Sequence, residues 1–165
     1  MIIKTIQYIY SQMTTSFQSF DCMKTQIIDI LGGPKAFDQD VDSFLSFIEI
    51  TEKGFSISVA QRVQKRLNLS NKQFSEMLNL SESTFQRRIK NQSLLSTVES
   101  EKVVDFSKII AKGVDVFEDE RDFKTWLESP ILALGNRRPL DLLGSSIGRE
   151  EVLNILFRIE HGIFS

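Results

Sequence analysis

The sequence predicts an all-α protein with a helix-turn-helix near its middle and a small helical region after it. Three observations carry that reading. From residue 23 onward, apolar residues recur at the i, i+3, i+4 and i+7 spacing of amphipathic helices. No stretch alternates with period two beside a hairpin turn. The 165 residues, 41% hydrophobic and 25% charged, have the composition of a soluble globular protein large enough to bury its own core.

The elements follow in order. Residues 1–22 keep no steady apolar period and read as a flexible arm or marginal helix. A single Lys4, a broken apolar stretch and no small-residue cleavage pattern make a poor signal peptide. Ile27, Ile28, Ile30 and Leu31 form a helix that stops at Gly32-Gly33-Pro34. Val41, Phe44, Leu45 and Ile48 predict the buried face of a second. Ile57, Ala60, Val63 and Leu67 mark a third. Phe74, Met77 and Leu78, then Phe85 and Ile89, mark two short helices. Val103 to Phe117 fits one long helix, and Phe123, Trp126 and Leu127 a further one stopped by Ser129-Pro130. Arg149 to His161 reads as the last.

Several function classes drop out. Cys22 is the only cysteine and His161 the only histidine, so neither a disulfide nor a Cys- or His-cluster metal site is expected. No nucleophile and base are placed together, which predicts a non-enzyme that needs no cofactor. No apolar run nears the roughly 18–20 residues of a membrane span, so the expected location is the cytoplasm.

The net charge of −2 hides a strong asymmetry. Residues 59–92 carry seven Lys/Arg against two Asp/Glu, whereas the segments on either side are acidic. A basic block of this kind suits a polyanion, and equally a solvated face.

Inside that block, Ser70 and Gln73 have the spacing of a capping box, and the helix they start runs to about Leu78. Asn79 tolerates a positive φ in a tight turn, Leu80 fills the angle between helices, and Ser81 caps the next helix. Two short helices joined this way make a helix-turn-helix. On the second, Phe85 and Ile89 face inward. Ser83, Arg87 and Lys90 point nearly the opposite way, flanked by Thr84, Gln86 and Arg88. Such a face fits the major groove: Arg87 and Arg88 suit guanine or phosphate, and Gln86 suits adenine. Ser70 and Lys72 would lie near the phosphate backbone. A charged helical hairpin is the plainer alternative.

The C-terminal stretch carries motifs that no DNA reader requires. These are Trp126-Leu127 with Pro130, Ala133-Leu134-Gly135 with Pro139-Leu140, Leu142-Leu143, and Arg158 to Ser165 with its apolar Ile163 and Phe164. Together with Leu31-Gly32-Gly33, Gln61 to Ser70, Ser83 to Arg88 and Glu99-Ser100, they resemble the Xre/MbcA/ParS-type antitoxins of RES–Xre toxin–antitoxin modules over residues 31–165. Asn136-Arg137-Arg138 and Ser145-Ser146 depart from the family pattern.

The resemblance implies an Xre-like helix-turn-helix region, residues 23–117, followed by a C-terminal toxin-binding domain, residues 118–165, with 1–22 an unassigned arm. It implies an antitoxin that binds its own promoter DNA and covers the active site of a NAD-consuming RES-domain toxin. By the same carry-over, Trp126, Arg138, Arg158, Glu160, His161, Phe164 and Ser165 lie at or near the toxin. From the residues alone, Trp126 also fits the core, Arg158 and Glu160 an internal ion-pair site, and His161 a helix C-cap. A homodimer is expected, because one helix-turn-helix reads a short site and two-fold pairing on half-sites extends it. A stand-alone dimeric regulator is the competing reading.

Overall fold

A computed structural model describes residues 23–37, 41 and 43–162. The proposed arm at 1–22 and the tail residues Ile163, Phe164 and Ser165 lie outside the described residues. Nine α-helices are described: α1 over 23–31, α2 (Phe44–Lys53), α3 (Ile57–Arg66), α4 (Asn71–Met77), α5 (Glu82–Asn91), α6 (Thr97–Phe117), α7 (Glu120–Glu128), α8 (Pro139–Leu142) and α9 (Ser146–Glu160). Among these residues β pairing is limited to two isolated bridges, Ser56 with Leu94 and Ile131 with Arg137.

Local chemistry explains most boundaries. Serine side chains at positions 43, 70, 81, 96 and 145 accept from backbone amides of the helices they precede, and Asp119 does the same for α7. Each satisfies orphan donors that the helix cannot pair itself. Asn79 and Gln92 take positive φ values of 61° and 49°, turning the chain at the ends of α4 and α5. After α1, the Gly33 amide donates to the Ile28 carbonyl at 2.9 Å, which closes that helix in a Schellman-type cap.

The expected inward face of α2 is corrected. Leu45 is 70% exposed and Ile48 37%, while Phe47 and Ile50 are buried. Val41 lies before the helix and packs against the core from outside it. The cause is where the helix starts and stops. Ser43 forms a reciprocal capping box with Ser46, and Gly54, at φ 94°, ends the helix where a Cβ would lie 2.0 Å from the Leu95 carbonyl oxygen. That close approach fixes the roll of α2, and Phe47 then packs at a tilt against Phe55 with ring centroids 6.2 Å apart.

The long helix α6 is the spine. Its first half packs on α2 and α3, and its second half on α7 and α9. Phe106 is fully buried and meets Phe74 of α4 at 5.9 Å; Phe74 meets Phe85 of α5 edge-on at 5.7 Å. Farther along, Gly113 lets α7 approach, since a Cβ there would lie 2.1 Å from the Phe123 ring. One continuous core therefore runs from Ile27 to Leu156 through α6.

Candidate functional site

Two surfaces at opposite ends of α6 concentrate the polar residues singled out above. At the first, α4 and α5 form the expected helix-turn-helix. Ser70 and Gln73 make the reciprocal capping box, with the Gln73 amide donating to Ser70 Oγ at 3.2 Å. The turn is held by the Leu80 amide on the Ser75 carbonyl at 2.8 Å. Phe85 is fully buried and Ile89 half-buried, so Ser83, Gln86, Arg87 and Lys90 lie exposed on the opposite side of α5. Lys72 is exposed at the start of α4. Arg87, Lys90 and Lys72 make no ion pair among the described residues, which leaves their charge available. Gln86 is lightly held by Glu82, its amide 3.2 Å from the carboxylate. Thr84 is half-buried, and its Oγ1 accepts from Ser81 Oγ at 2.8 Å.

Arg88 behaves differently from its neighbours. Its guanidinium is paired with Glu99 of α6, and only 24% of the side chain is exposed. It braces α5 against α6 and presents no open fork to a ligand. Glu99 also accepts from the Ser96 amide at 2.7 Å. Burial alone would push the Glu99 carboxyl up. The Arg88 guanidinium and the Ser96 donors outweigh it and hold the carboxyl below the usual glutamate range.

Next along α6, the Lys102 amine lies near the Met77 carbonyl, and burial and the neighbouring Arg149 charge push its pKa down. Arg149 of α9 is itself buried, donating to Asp105 at 3.2 Å and to the Leu143 carbonyl at 3.1 Å. Charged groups thus line α6 from α5 to the first turn of α9.

At the second surface, the expected contact residues have distinct fates. Trp126 is half-buried and packs on Phe117 and Phe123, with centroids 5.6 and 6.2 Å away, so its ring belongs largely to the core. Arg138 is exposed and forked onto Asp141 at 2.9 and 2.6 Å. That hydrogen bonding holds the Asp141 carboxyl below its ordinary range. Glu160 pairs with Lys112 of α6 at 2.5 Å. His161 caps α9, its Nδ1 2.7 Å from the Phe157 carbonyl oxygen. Arg158 is exposed and has no ion-pair partner among the described residues. Lys112, Glu99 and Arg149 were missed as site residues. Each is a charge inside an apolar helical stripe, and that interruption was the available signal.

Three of the seven cations of the basic block lie off the helix-turn-helix. Arg62, Lys65 and Arg66 of α3 join Lys124 of α7 around a cavity of about 450 Å³, opposed there by Asp29 and Glu120.

Comparison with known proteins finds matches over both halves of the chain. A model described as the antitoxin Xre-like helix-turn-helix domain matches residues 46–106. One described as the antitoxin Xre/MbcA/ParS C-terminal toxin-binding domain matches residues 112–162. A protein named Antitoxin Xre from Yersinia enterocolitica is 28% identical over 119 residues, covering 72% of this chain and 80% of the relative. One named Prs ADP-ribosylating antitoxin from Sphingobium is 29% identical over 127 residues, with the same coverage. A chain of the M. tuberculosis MbcT–MbcA toxin–antitoxin complex shares 18% identity at a TM-score of 0.49, over 66% of this chain and 96% of that one. With the two domains in this order on either side of residue 110, the chain belongs to the Xre/MbcA/ParS antitoxins.

Proposed function

We propose that this antitoxin neutralises a RES-domain, NAD-consuming toxin by covering its active-site entrance with the C-terminal segment, and that it binds its own promoter DNA through α5. The observation that carries the reading is the division of labour along α6. One end supports a capped helix with an unpaired cationic face, and the other supports the matched toxin-binding domain.

At DNA, Arg87 and Lys90 supply charge and Ser83 a hydroxyl to the major groove, and Gln86 reaches a base by leaving Glu82. Ser70 and Lys72 meet the phosphate backbone at the start of α4, and Thr84 supports the helix entry. Arg88 keeps α5 seated. Two copies bind, one per half-site. At the toxin, Arg158 pairs with a carboxylate and Phe164 anchors in an apolar recess, with Ser165 beside it. Inhibition is by contact, without catalysis or cofactor.

The test is recovery of N-terminally tagged chain from its native cells. The expected result is a stoichiometric protein whose NAD⁺ consumption stops when the chain is added back. Recovery of homodimer and DNA alone would favour a stand-alone regulator.

A further inference from the structure

We infer that Lys112 is a positioning residue for toxin binding: it locks the last turn of α9 to α6 and so holds Arg158 and His161 in one orientation. The inference rests on the toxin-binding reading above.

Lys112 sits where α6 is otherwise apolar, between buried Ile109, Ile110, Ala111 and Gly113. Its side chain is 7% exposed, an unusual place for an ammonium group. There it meets Glu160 at 2.5 Å and Asp115 at 3.5 Å, with the Phe157 ring centroid 4.7 Å away. Phe157 and Glu160 are one turn apart on α9, so the cation is seated between them. Only the ammonium is buried: 36% of the Glu160 side chain stays exposed, so solvent screens the attraction while the lysine bears the desolvation cost, and the pair adds little net stability. What it adds is direction, since the carboxylate must come to one place. Glu160 can reach Lys112 only with the last turn of α9 in one register. That register also sets the His161 cap on Phe157 and leaves Arg158 outward. The other end of α9 is fixed in the mirror sense, by buried Arg149 reaching from α9 to Asp105 of α6. The Arg149 anchor seats the start of the helix, and the Lys112 anchor sets its last turn. Glu160 then acts through Lys112, not as a direct toxin contact.

The test uses full-length chain and the toxin that co-purifies with it. Lys112→Met keeps the volume and removes the charge. The expected result is a melting temperature equal to or above that of the parent, unchanged promoter binding, and inhibition weakened by about tenfold. Amide exchange at residues 157–161 should accelerate while residues 146–153 stay protected. Glu160→Gln should give the same loss, and the double variant no more, whereas Lys112→Arg should restore inhibition. Parent-like inhibition by Lys112→Met overturns the inference. So does a fall in melting temperature that accounts for the loss, or losses that multiply in the double variant. Deletion of Ile163–Ser165 is the separate control: if it inhibits as the parent does, covering of the toxin by the C-terminal tail fails, and the exchange data still decide whether Lys112 anchors the turn.

Discussion

The two ends of α6 use charge in opposite ways. On α5, Arg87 and Lys90 face solvent without partners among the described residues, and only Arg88 is tied down. At the C-terminal end, Arg138, Glu160 and His161 are each engaged within the chain, and of these four Arg158 has no ion-pair partner among the described residues. A polyanion is met by unpaired surface cations, whose counterions are released on contact. A folded protein partner needs a shape held in advance, because ordering an interface on binding costs affinity. The difference teaches that charges in the first region are left open to solvent and most of those in the second are struts.

The largest expected effect breaks the separation altogether. Phe106→Ala opens a cavity where both halves lean on α6, and should cost about 3–5 kcal/mol. Urea unfolding followed through Trp126 fluorescence and through helix content should give one shared transition. Two separated transitions would mean the halves are independent.

Glu99→Gln should cost about 1–3 kcal/mol by leaving Arg88 without its counter-charge. Because the Glu99 carboxyl is held below its ordinary value, its stabilisation is present above about pH 4.5 and is lost as pH falls through the lowered pKa. Melting temperatures of parent and variant should therefore converge toward acid pH.

Arg87→Ala should leave the melting temperature unchanged and weaken promoter binding by about 1–3 kcal/mol if it reads a base. Uniform weakening on every sequence would assign it to phosphate. Ser81→Ala should remove about 1 kcal/mol of stability through the lost cap. The smallest effect is at Arg138: its exposed pair with Asp141 should change stability by less than about 1 kcal/mol on Arg138→Ala, measured by thermal melts.

Most of the helix-turn-helix was legible in the sequence, because its determinants are local. Ser70 with Gln73, Asn79, Ser81 and the Phe85–Ile89 spacing act within a few residues of where they stand. The roll of α2 was not legible. It depends on Gly54 meeting the Leu95 carbonyl, a contact between segments forty residues apart. Arg88 shows the same limit within the site. Periodicity places it beside Arg87, yet Glu99 on another helix decides what it does. In the C-terminal region, the resemblance pointed to Glu160 and His161, while the reason for their positions lay in Lys112, which the apolar pattern around it obscured.

The central claim is that one chain carries two separable binding surfaces on a shared spine. The direct test assays Arg87→Ala and a chain lacking Ile163–Ser165 side by side, for promoter affinity and for inhibition of the co-purified NAD⁺-consuming toxin. Each variant should lose one function and keep the other, with both melting as the parent does. Full inhibition by the shortened chain, together with undiminished promoter binding by Arg87→Ala, would contradict the claim.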